Sequence, residues 1–132
     1  MYLFHPILKE VLWGGAAICP FKGLPADPRR IGESWEVSDV EGRRSVVSGG
    51  SESGTPLDEL IRRHGADLVG RSVMERFGER FPLLIKFIDA HDDLSVQVHP
   101  DDELARQRHD SFGKTEMWYV VQATPGAALY SG

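Results

Sequence analysis

Residues 94–100 read Leu-Ser-Val-Gln-Val-His-Pro, and the apolar Leu94, Val96 and Val98 alternate strictly with Ser95, Gln97 and His99. A period of two predicts a strand with one face in a core and the other lining something polar. Gln97 and His99 stand two apart and share the polar side, where an amide oxygen and an imidazole nitrogen suit one cation. Beyond a short helix a second strand is predicted over residues 114–121, with Lys114, Glu116 and Trp118 on one face. With Glu116 aimed into the same space, amide, imidazole and carboxylate from neighbouring strands form a candidate metal site.

The remaining chain is mostly short strands broken by turns. Residues 7–13 are apolar with β-branched and aromatic members and end at Gly14-Gly15, whereas residues 20–30 carry Pro20, Gly23, Pro25 and Pro28 and read as a loop. In residues 31–38 Glu33, Trp35 and Val37 share one strand face and Ser34, Glu36 and Ser38 the other, so the two acids cannot both be core. Residues 45–48 predict a further short strand. Thr55, Pro56 and Asp58 read as N-cap, first-turn proline and capping-box acid of a helix with Leu57, Leu60 and Ile61 on one face and Gly65 as its stop. Residues 71–78 allow one or two helical turns. A strand over residues 83–89 sets Leu83, Ile85 and Phe87 on one side and Lys86 with Leu84 and Ile88 on the other. Acids at 101–103 and bases at 106 and 108 bracket a short helix in the sense that favours its dipole. A last strand is predicted over residues 127–130. Many strands with turns between them, and no strict strand–helix alternation, predict a mainly antiparallel sandwich or barrel.

With 132 residues, 41% of them hydrophobic and 27% charged, a single domain with a core is expected, spanning 1–132. A net charge of −5 argues against nucleic acid or an anionic membrane as partner, since each calls for a clustered basic face. Cys19 is the single cysteine, which leaves no intrachain disulfide or thiolate zinc cluster and fits a reducing compartment. Residues 1–9 lack the run of apolar residues of a signal peptide or membrane span, so the chain reads as cytoplasmic.

By spacing alone, Gln97, His99 and Glu116 are open to two readings, a cation site or a solvated sheet face. Gly113-Lys114-Thr115 is not a phosphate loop, because the first glycine of that motif would stand at position 108, which is Arg108. Lys86 is embedded in an apolar strand and Lys114 shares a face with Glu116 and Trp118. A lysine held near a metal and partly desolvated can act as acid or base, or bind phosphate as a point charge. His64 and His109 sit near predicted helix ends and are given no role, and Trp13 and Trp35 read as core.

Five segments together resemble the type I mannose-6-phosphate isomerases, a zinc-dependent family built on the cupin jelly roll. They are Trp13-Gly14-Gly15, Gly32-Glu33-Ser34-Trp35-Glu36, residues 81–90, residues 94–102 and Gly113-Lys114-Thr115-Glu116-Met117-Trp118-Tyr119, in the family's order. The resemblance implies a cupin-type jelly roll with a few short helices, and one Zn2+ held by Gln97, His99 and Glu116. It implies Lys114 and Lys86 as candidate catalytic residues around the sugar phosphate, and Ser95 on the ligand face joins them as a substrate-binding candidate. The implied activity is interconversion of mannose 6-phosphate and fructose 6-phosphate through a metal-stabilised cis-enediol(ate), with Lys114, Lys86 or a metal-bound water as the base. The family's fourth zinc ligand, a histidine, and a catalytic arginine lie C-terminal to the matching segments, and no histidine follows His109. The chain is therefore expected to be an N-terminal portion or a naturally short product. A non-catalytic cupin module that binds a sugar or phosphosugar is the alternative. An iron or manganese cupin oxygenase fits less well, since its sites use more histidines than this chain offers.

Overall fold

A computed structural model describes residues 1–130 and divides the chain into two compact units, Met1–Leu94 and Ser95–Gly132. The first unit is framed by a three-stranded antiparallel sheet, β1 (Ile7–Gly15), β2 (Ile31–Val37) and β3 (Ile85–Ile88), with β2 in the centre. Lys9 stands opposite Glu33 on β1 and β2, and Trp35 stands opposite Lys86 on β2 and β3. Residues directly opposite in a ladder share a face, so Lys9, Glu33, Trp35 and Lys86 all lie on one side of the sheet. Ser34 and Phe87 pair on the other side, where Phe87 meets Phe21 edge to face at 5.4 Å.

Four helices complete this unit: α1 (Ile18–Phe21), α2 (Leu57–His64), α3 (Ala66–Val69) and α4 (Arg71–Phe77). Leu57, Leu60 and Ile61 are buried as their spacing predicts, and each contributes about 1.5–3 kcal/mol on leaving water. Gly65 ends α2, as expected. The cap differs: Pro56 occupies the N-cap position, where its ring has no atom to cap with, and the Thr55 hydroxyl, one residue earlier, donates to Glu52 at 3.3 Å. Residues 45–48 contribute isolated bridges, Val47 to Phe4 and Val46 to Pro56, in place of a full strand.

The second unit contains α5 (Asp102–His109). Asp101 caps it, its carboxylate accepting from the Leu104 amide at 2.8 Å, and Asp110 stops it in the left-handed conformation at φ 48° and ψ 43°. The strands expected over residues 94–100, 114–121 and 127–130 are absent. Alternation decides which side chains share a side, but a strand also needs a hydrogen-bonded neighbour, and none pairs with these segments among the described residues. Their apolar side chains are accordingly exposed, Val98 at 94% and Met117 at 93%.

Candidate metal centre

The loop after α5 returns to the point where the helix began. The Lys114 amide donates to the Pro100 carbonyl at 3.3 Å, and the Gly113 amide donates to the Asp102 carboxylate at 2.9 Å. A Cβ on Gly113 would come within 2.7 Å of the Asp101 and Asp102 backbones, so the return passes too close for any side chain. This closure carries Lys114 and Glu116 to His99. Glu116 Oε2 lies 3.5 Å from His99 Nε2, and Lys114 Nζ lies 3.2 Å from Glu116 Oε1 and 3.3 Å from His99 Nε2. The Trp118 indole N–H donates to Glu116 Oε2 at 3.4 Å. Burial pushes the Glu116 carboxyl up, but hydrogen bonds from Lys114 and Trp118, with the charges of Lys114 and His99, outweigh it and leave the group below the usual carboxylate range.

Two ligands of a tetrahedral zinc ion at the usual bond lengths stand roughly 3.3–3.4 Å apart, so the His99–Glu116 separation suits two donors to one ion. The Lys114 ammonium already holds a positive charge beside both. Gln97 is placed differently: its amide nitrogen donates to Ser95 Oγ at 2.9 Å. Ser95 and Gln97, two apart, thus touch as alternation predicts, although no ladder holds them. No group of three or more His, Cys, Asp or Glu residues able to hold a metal occurs among the described residues. The candidate set offers only two residues of those types beside the Gln97 amide.

Lys86 belongs to the first unit and meets a different carboxylate. Its ammonium donates to Glu33 Oε1 at 2.8 Å, Lys9 Nζ lies 3.2 Å from Glu33 Oε2, and the Trp35 indole donates to that same oxygen at 2.8 Å. Burial raises the Glu33 carboxyl, yet the bonds from Lys86, Trp35 and Lys9 prevail and hold it at about 2. The other acid of β2, Glu36, lies half-buried on the opposite face, where Lys22 and Ser34 bind it. Sequence reasoning placed Glu33 and Trp35 on one face without giving either a role, and passed over Lys9. The signal was present in the polar members of β1 and β2 at matching parity.

The profile of the family described as phosphomannose isomerase type I, catalytic domain, matches residues 2–119. The chain belongs to that family. As a type I phosphomannose isomerase family member it is 42% identical over 130 residues to the mannose-6-phosphate isomerase ManA of Bacillus subtilis, covering 98% of this chain and 39% of the relative. A mannose-6-phosphate isomerase of Streptococcus mutans is 41% identical over 125 residues, covering 95% and 38% respectively. In structure, the phosphomannose isomerase family member superposes on the crystal structure of the Bacillus subtilis mannose 6-phosphate isomerase with a TM-score of 0.71 at 31% identity, over 85% of this chain and 34% of that one. The chain thus spans about two fifths of the length of the curated relatives it matches. The mainly β, antiparallel fold class expected from the sequence is that of these relatives.

Proposed function

We propose that this chain carries part of the active site of an aldose–ketose isomerase acting on mannose 6-phosphate and fructose 6-phosphate. The observation that carries the reading is the contact of His99, Lys114 and Glu116 inside a segment matched to the catalytic-domain family. The family match crosses both compact units, which supports taking residues 1–132 as one stretch of cupin-type catalytic domain. The single buried Cys19 accords with a reducing, cytoplasmic setting. No helix among the described residues is long and apolar enough to cross a membrane.

His99 and Glu116, with Gln97 turned from Ser95 to join them, would hold a zinc ion. Zinc in that place supplies a Lewis acid that polarises the sugar oxygens and carries charge developing on them. The chain's own residues do the rest. Isomerisation moves a proton from C2 to C1 of the sugar through a cis-enediol, and the hydroxyl protons rearrange in step. Lys114, as an ammonium beside His99 and Glu116, donates a hydrogen bond or a proton to a sugar oxygen; as a neutral amine it would accept the carbon proton. Ser95 donates a hydrogen bond to the sugar or its phosphate. Lys86, on β3 of the first unit, is the second lysine that the family resemblance offers to the phosphate, whose charge is near −2 at neutral pH.

The test is a coupled assay for fructose 6-phosphate together with elemental analysis of the purified chain and its His99→Ala variant, with and without a chelator. The expected outcome is zinc in the wild-type chain and less in the variant, with the chelator abolishing any turnover the chain shows. Unchanged zinc in His99→Ala overturns the ligand assignment. Turnover that the chelator leaves unchanged overturns the metal-dependent reading.

A further inference from the structure

On the sheet face shared by β1, β2 and β3, one carboxylate organises two lysines. Glu33 is 8% exposed and accepts from Lys86 on one oxygen and from Trp35 and Lys9 on the other. The Lys9 ammonium also rests 4.5 Å from the centre of the Trp35 ring. A carboxylate with three donors on a central strand has little freedom to turn. The four-carbon stem of a lysine, by contrast, is flexible and finds a fixed position only where something holds its end. The side chains of Lys86 and Lys9 remain 20% and 26% exposed, so neither is sealed from solvent. Two lysines on one glutamate, with the Arg43 guanidinium 5.9 Å from the centre of the Trp35 ring, leave that face positively charged.

We propose that Glu33 is a positioning residue, fixing the Lys86 ammonium on the sheet through its Oε1 while Lys9 and Trp35 lock its other oxygen. The proposal rests on the reading above that gives Lys86 a role toward the sugar phosphate. In this arrangement Lys86 meets its ligand from one place, with no search among rotamers. Glu33 itself touches no substrate; it acts through the lysine. Lys9 neutralises the second half of the carboxylate's demand, so Lys86 keeps a donor hydrogen turned outward.

Amine acetylation read residue by residue by mass spectrometry tests this on the whole chain and needs no turnover. Glu33→Gln retains the volume and an acceptor for Trp35 but loses the charge that tethers the lysines. The expected result is a several-fold rise in the labelling rate of Lys86 and Lys9, with Lys22 unchanged because Ser34 and Glu36 hold it separately on the opposite face. Unchanged labelling of Lys86 overturns the proposal. A uniform rise at every lysine marks loss of the fold, and Trp35→Phe then decides: it removes the indole donor together with part of the buried ring, and Lys86 labelling must rise there relative to Lys22 or the proposal falls. Turnover of Lys86→Met is measured separately. Wild-type turnover in that variant removes the role of Lys86 in the reaction and leaves the tether as found by labelling.

Discussion

Glu33 binds two ammonium groups and an indole while nearly out of water, and its carboxyl sits at about 2 in the folded chain against an ordinary value of 4.5. A depressed folded value means that the ionised form is what the fold stabilises. The contribution is complete above about 4.5 and fades as pH falls from there through about 2. With its side chain 11% exposed, partial screening leaves this worth on the order of 1–3 kcal/mol. Urea denaturation between pH 2 and pH 7 checks it: the first unit should lose stability on acidification, and Glu33→Gln should flatten that loss. The alternation in residues 31–38 placed Glu33 and Trp35 together, but parity names a face without saying which face will be covered. Burial was decided by the lysines of β1 and β3, which meet Glu33 only once the ladder exists.

Among the elements, α5 has the clearest bearing on the candidate centre. It leaves Pro100 under the Asp101 cap and its following loop is tied back to Pro100 and Asp102, so His99 and Glu116 meet across the base of an excursion. Gly113 is the tight point. Gly113→Ala should force the loop outward and cost the second unit about 1–3 kcal/mol, because the intruding methyl meets backbone that has no flexible end to move aside. Hydrogen exchange of the α5 amides reads that loss, and an unchanged rate would show that the loop gives way freely. The helix and its charge pattern were readable from acids at 101–103 and bases at 106 and 108. The reason for Gly113 was not, since a close backbone approach leaves no mark in periodicity.

Across the described residues, the strand ladders and the exposed apolar run of residues 117–121 fall in different units. The ladder residues of β1–β3 and the buried face of α2 lie in the first unit, whereas Met117, Tyr119, Val120 and Val121 in the second are exposed with no ladder partner among the described residues. A short run of aromatic and β-branched residues in this state is a template for pairing with another chain. We therefore expect concentration-dependent association of the chain, reduced by Val120→Lys and followed by light scattering; identical association in the variant would place the sticky surface elsewhere. Here the sequence was half informative. Alternation in residues 94–99 anticipated that Ser95 and Gln97 would meet, and the parity of Lys114, Glu116 and Trp118 anticipated that Glu116 would meet both of the others. Pairing into a sheet depends on a neighbour, which no local pattern supplies.

The looped path from Pro100 to Gly113 also behaves as a cassette. Because its ends are joined by the Lys114 amide on the Pro100 carbonyl and by the Gly113 amide on the Asp102 carboxylate, the part of the helix beyond Asp102 is expected to tolerate a change of length or sequence without altering the span between the imidazole on one side and the carboxylate on the other. Variation in that helix is then free to serve recognition or solubility, while the chemistry at its foot keeps a constant gauge.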